Sequence, residues 1–301
     1  MSAVFATRAL ERVLPVPALH RIAESLLRFR ARRHGIPDRA PEIVLPPFFD
    51  QPNPVRMTTI GLMLHYHLNS QVEFFPDRLA NPKWQERCRV IGLEPVRRAI
   101  DEKRPVIVAF CHFGAYQLMG YWLRALGLPA ATIVAGEVAR RSQLNRLKSR
   151  WSPFRDMPTV FHQDRLPEMI KFLKSGKLLL VALDAPSGKQ LDVPIADGWT
   201  FQTATGGLRL AAKNGAKLFF ASMIEEGPWR FCLEFGQPVP PELLTNKDDP
   251  MPAAKFLLAD WLACAKKFPG QMSPKKIRLF KKIESEKNQI DETIHPQEFA
   301  A

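Results

Sequence analysis

Cysteine is scarce: Cys88, Cys111, Cys232 and Cys264 are the whole complement of 301 residues. No two have the close spacing of a zinc or redox motif, so they read as reduced thiols, some of them buried. No apolar stretch approaches the roughly 18 to 20 residues that cross a bilayer. Arg8, Glu11 and Arg12 break up any apolar core that a secretion signal would need. The expectation is a protein that stays inside the cell. A Gly-x-Ser-x-Gly elbow is missing, which argues against a serine hydrolase, and there is no Gly-rich phosphate loop. Helix-turn-helix, zinc and RNA-binding signatures are absent too, so no nucleic-acid partner is expected.

What the chain does have is positive charge and enough apolar residues for a core. Hydrophobic residues make up 46%, and 43 Lys and Arg against 30 Asp and Glu leave a net charge of +13. That excess calls for an anionic partner, and anionic lipid or an acidic carrier protein would both satisfy it. The run Lys266 to Lys282 holds seven of the basic residues and no acidic one. It reads as an anionic-lipid or carrier-docking surface, or as a plain solvated face.

Residues 18–33 form a basic amphipathic pattern, with Leu19, Ile22, Ala23 and Leu26 on one stripe. Such a helix either lies in a membrane interface or docks on the core. Six prolines between Pro37 and Pro54 preclude regular helix there. A helical hairpin is expected next, over 55–70 and 81–89. His65 and His67 lie two apart, face different sides of that helix and are read as structural or surface residues, not as ligands.

From residue 90 strands and helices alternate. Strands are expected over 106–110, 131–135, 178–183, 217–223 and 230–235. Helices are expected over 116–126, 140–151, 165–175, 204–214 and 253–266. The alternation predicts an α/β fold, a single domain built on a mostly parallel central sheet flanked by helices, with a helical N-terminal extension. The expected division is a helical and proline-rich extension over 1–80, the main domain over 81–283 and a polar tail over 284–301.

His112 stands out. It follows the apolar, β-branched run Pro105-Val106-Ile107-Val108-Ala109-Phe110-Cys111 and precedes the helical spacing of Leu118, Tyr121, Trp122 and Ala125. A histidine at the carboxyl end of a buried parallel strand is where open α/β sheets place chemistry, and it can act as a general base near neutral pH.

An ordered set of segments carries a resemblance. These are Val90-Ile91-Gly92-Leu93-Glu94, then Cys111-His112-Phe113-Gly114-Ala115-Tyr116-Gln117-Leu118, then Met169 to Gly176. Asp184 follows at the end of an apolar strand. Last come Val193-Pro194-Ile195-Ala196-Asp197-Gly198, Thr203-Ala204-Thr205-Gly206 and Leu210 to Ala216. Over roughly residues 80 to 282 the sequence resembles the lipid A biosynthesis acyltransferase family, part of the wider lysophospholipid acyltransferase group.

The resemblance implies transfer of a fatty acyl chain from an acyl-carrier protein or acyl-CoA thioester to a hydroxyl of a glycolipid or lysophospholipid. It implies no cofactor and no metal. By resemblance His112 is the general base, and the motif's carboxylate falls at position 117, where this chain has Gln117. A glutamine can orient an imidazole but cannot supply negative charge. Three outcomes follow: a slower enzyme, another carboxylate in its place with Asp184 the first candidate, or a non-catalytic lipid- or acyl-carrier-binding relative. Gly114 is expected at the substrate, near free N–H groups of a helix start. Arg155 lies near the family's acceptor-holding arginine, and Asp184 is assigned to the substrate site. Thr205 and Gly206 are read as a helix start first. The membrane-spanning N-terminal helix usual in the family is not found, which predicts peripheral attachment to the cytoplasmic face of the bacterial inner membrane.

Overall fold

The computed structural model describes residues 9–39, 44–49, 58–134, 160–186, 188–196, 198–246 and 248–283. In chain order the helices are α1 (Val16–Arg33), α2 (Thr59–Phe74), α3 (Pro82–Gln85), α4 (Glu94–Asp101), α5 (Tyr116–Ala125), α6 (Leu166–Lys174), α7 (Gly206–Asn214), α8 (Met251–Lys267) and α9 (Pro274–Ile277). The strands are β1 (Cys88–Ile91), β2 (Val106–Phe110), β3 (Ala130–Val134), β4 (Val160–His162), β5 (Leu178–Ala182), β6 (Gln190–Ala196), β7 (Trp199–Ala204), β8 (Lys217–Gly227), β9 (Arg230–Phe235) and β10 (Phe280–Lys282).

Seven strands form one sheet in the order β1-β9-β8-β2-β5-β3-β4. Its pairs are parallel except for the β8–β9 hairpin. The period of two along each strand sorts side chains onto two faces. Val106 and Val108 pack with Leu118, Trp122 and Leu123 of α5, and with the buried side of α1 and α2. Ile107 and Ala109 pack with Met169, Leu173, Leu208, Leu257 and Trp261 of α6, α7 and α8. Both faces are covered, which is why β2 and β5 read as unbroken apolar runs.

The N-terminal helices are tied to this body by a buried ion pair. Arg78 meets Glu11 at 2.6 Å, with side-chain exposures of 1% and 5%, and Trp84 Nε1 donates to the same carboxylate. Helix α1 buries Val16, Leu19 and Ala23. Ile22, Leu26 and Phe29 face outward, at 38%, 62% and 66% exposure. The stripe expected from sequence is thus divided between a docked side and an open one.

Several expectations need correction. Residues 81–89 do not form a second hairpin helix: helix ends at Gln85, and Cys88–Ile91 adds a parallel edge strand to β9. A neighbouring strand with open backbone groups outweighs weak local helix propensity. A second sheet, β10-β7-β6, was not foreseen; it is antiparallel throughout, although Asp197-Gly198 between alternating residues is a hairpin signal. Helix α4 was not foreseen either. The expected helix over 140–151 lies outside the described residues. Among the described residues no helix is long and apolar enough to cross a membrane.

Candidate active site

Adjacent strands in register bring the site together. Phe110 of β2 pairs with Ala182 of β5, and two residues further along each strand stand His112 and Asp184. The ladder runs one bond further before the chains leave it, with the Leu183 N–H donating to Phe110 O at 2.8 Å. Asp184 Oδ1 lies 2.6 Å from His112 Nδ1, and Oδ2 accepts the His112 backbone N–H at 2.9 Å. An acceptor at Nδ1 fixes the neutral tautomer with its proton on that nitrogen and leaves the Nε2 lone pair free. The imidazole is 29% exposed while the carboxylate is 1% exposed, so the ring is the member of the pair that can meet a reactant.

Burial alone would raise the Asp184 pKa, yet it is held below the ordinary value. The hydrogen bond from His112, the charges of His112 and Lys276, and the His112 backbone N–H together outweigh burial. Lys276 Nζ lies 3.5 Å from Asp184 Oδ2 and also donates to the Asp184 carbonyl. The Tyr116 ring stands edge-on to the imidazole with centroids 4.6 Å apart, and burial pushes its phenol pKa up.

The structure places Gln117 elsewhere. Its side chain is exposed, its Oε1 accepts from Asn69 Nδ2, and its Nε2 donates to the Tyr116 hydroxyl at 3.3 Å. Gly114 lies at φ +60°, and a Cβ there would come within 2.3 Å of Met223 O. Its N–H donates to Gln271 O at 3.2 Å, so that group is already engaged. Helix α5 starts two residues later, which leaves the first-turn N–H groups of Tyr116 and Gln117 without intrahelical acceptors. Arg155 lies outside the described residues. Thr205 does not cap α7; its hydroxyl donates to Lys189 O at 3.0 Å and ties the turn to β6. Among the described residues no group of His, Cys, Asp and Glu could hold a metal ion.

The family of bacterial lipid A biosynthesis acyltransferases matches the chain over residues 17–227. The chain belongs to that family. The match reaches further toward the N-terminus than the motifs did, taking in α1 and α2. No curated protein matches. Among solved structures, the 1-acyl-sn-glycerophosphate (LPA) acyltransferase PlsC from Thermotoga maritima is similar. It is 17% identical and the alignment covers 70% of this chain and 84% of that one, with a TM-score of 0.42. Membership makes this chain an acyltransferase of the lipid A or lysophospholipid type, acting between an acyl donor and a lipid acceptor.

Sequence reasoning missed Lys276 and Asn69 at this site. Lys276 was hidden inside a basic run with nothing to single it out, and Asn69 comes from a helix whose approach to α5 no motif announces.

Proposed function

We propose that the protein transfers a fatty acyl chain from a thioester, carried by acyl-carrier protein or CoA, to a hydroxyl of a glycolipid or lysophospholipid, with His112 as the general base. His112 Nε2 takes the hydroxyl proton as the oxygen attacks the thioester carbonyl. The first-turn N–H groups of α5 hold the oxyanion that forms. Collapse breaks the carbon–sulfur bond, and the departing thiolate takes the proton back from the imidazolium. Asp184 orients the ring and stabilises its charged form, the part that the motif gives to the residue at position 117. The observation that carries this reading is the 2.6 Å contact from a buried carboxylate to the Nδ1 of a partly exposed imidazole.

The reading extends to a membrane surface at the cytoplasmic side of the inner membrane. The outward stripe of Ile22, Leu26 and Phe29 on a helix ending in Arg30, Arg32 and Arg33 supports it, because apolar residues beside arginines suit an anionic interface.

The test is a transfer assay with labelled palmitoyl-CoA and palmitoyl-acyl-carrier protein. Each is offered with lysophosphatidic acid and with an under-acylated lipid A precursor. At least one donor and acceptor pair should give product with wild type, and none with His112→Ala. Equal product from both proteins would remove the base assignment, and liposome binding without transfer would favour a lipid-binding relative.

A further inference from the structure

Asp184 is held from two sides. On one side the ring and backbone N–H of His112 occupy one carboxylate oxygen each, at 2.6 and 2.9 Å. On the other, Lys276 Nζ reaches Oδ2 at 3.5 Å and donates to the Asp184 carbonyl as well. This lysine comes from 92 residues further along the chain, and the backbone just before it is clamped against the histidine turn. Met272 bridges Phe113, and Gln271 O accepts the Gly114 N–H at 3.2 Å. The Gln271 amide grips the Glu225 backbone from both ends, at 3.1 and 2.8 Å. With its side chain only 18% exposed, Lys276 is no part of the solvated basic face its sequence context suggested.

We propose that Lys276 is a positioning residue of the acyl transfer: its ammonium group holds the Asp184 carboxylate in the orientation that presents His112 Nε2 to the acceptor hydroxyl. The inference rests on the function proposed above. The two bonds to His112 hold both oxygens from one side only, and a cation on Oδ2 and on the backbone carbonyl adds a hold from the other side against rotation about the Cβ–Cγ bond.

The same cation has an electrostatic consequence. The dyad with a neutral imidazole carries balanced charge, Asp184 against Lys276, and protonating His112 leaves a net positive cluster. Taking the ammonium group away removes the like charge that a protonated His112 would face. Among the described residues, the other titratable side chains that act on the pair are Cys111 and Tyr116. Cys111, fully buried, has its thiol pushed well up by burial, and burial also raises the Tyr116 phenol, on which Tyr66 acts in turn.

The experiment compares kcat, acceptor KM and the pH profile of kcat/KM for wild type, Lys276→Arg and Lys276→Gln. Palmitoyl thioester serves as donor, with the acceptor that wild type uses. Lys276→Gln keeps a donor for the Asp184 carbonyl but loses the charge. Its kcat should fall by about ten- to a hundredfold with acceptor KM little changed, and its acid limb should move up by about half to one pH unit. Lys276→Arg should keep the wild-type limb and recover most of kcat. A wild-type kcat and limb in Lys276→Gln would overturn the proposal. So would a loss confined to acceptor KM, or the same shift in both variants. His112→Ala and Asp184→Asn are run alongside: if both keep wild-type transfer the base assignment itself fails, and if both lose it while Lys276→Gln does not, only the role of Lys276 fails.

Discussion

Asp184→Asn and Gln117→Ala separate two ways of supporting the His112 ring. An asparagine at 184 keeps the shape but presents an amide to Nδ1 and favours the wrong tautomer. Transfer should fall by about 10²- to 10⁴-fold, as in other imidazole–carboxylate pairs. Gln117 is bonded to Asn69 and Tyr116, so its removal should cost less than roughly tenfold, the worth of a neutral hydrogen bond. Steady-state rates of the two variants decide between them; a larger loss from Gln117→Ala would return the supporting role to α5. His112 and Asp184 were both legible as residues, because each ends an apolar strand. Their partnership was one of three outcomes the sequence left open, with Asp184 the first candidate, since nothing in the order of the chain says that β5 rather than β3 lies beside β2. The motif spacing instead directed attention to position 117, which a turn of helix carries away from Nδ1.

At the scale of elements, the buried parallel strands were readable because burial on both faces writes itself as unbroken Val, Ile and Leu. Strands β1, β4 and β10 were missed because their pairing depends on partners distant in sequence, and the β6–β7 hairpin was missed although the Asp197-Gly198 turn signal lies between its strands. The end of the β8–β9 hairpin offers a pH test. Glu225 is mostly buried, its Oε1 accepts the Trp229 N–H at 3.1 Å, and burial pushes its pKa up to about 7. The folded state therefore holds this proton more tightly than the unfolded chain does. The stabilisation is complete below the ordinary carboxylate range and is lost as pH rises through about 7. Replacing Glu225 with Gln keeps the acceptor and removes the ionisation. In urea titrations Glu225→Gln should match wild type near pH 4 and exceed it by about 2 kcal/mol at pH 8, allowing for partial exposure. An equal difference at both pH values would refute the ionisation account.

For the molecule as a whole, the N-terminal helices share one apolar layer with β2, β5 and α5. Glu11→Ala would take the carboxylate from the buried Arg78 guanidinium, which keeps neutral contacts such as Gln71 Oε1 for its charge. Loss of one partner of a buried pair costs about 3–5 kcal/mol, so thermal unfolding should begin roughly 10 °C lower; an unchanged midpoint would mean that the pair contributes nothing. On the outer side of the same layer, Leu26→Glu with Phe29→Glu should leave the melting point in place and abolish co-sedimentation with vesicles containing phosphatidylglycerol. Retained binding would move the proposed membrane contact to another surface. The charge excess was legible from composition, but its distribution was not: Lys266 lies over the Phe48 ring, Lys281 pairs with Asp192, and Lys276 turns inward.

The lateness of the 271–276 segment in the chain bears on how the protein is made. While it is being synthesised, the strands of the large sheet can assemble as soon as β9 has left the ribosome, and His112 and Asp184 can already stand side by side. Gln271, Met272 and Lys276 emerge only afterwards. A half-made protein would thus hold its base and carboxylate without the fastening that this closing segment supplies.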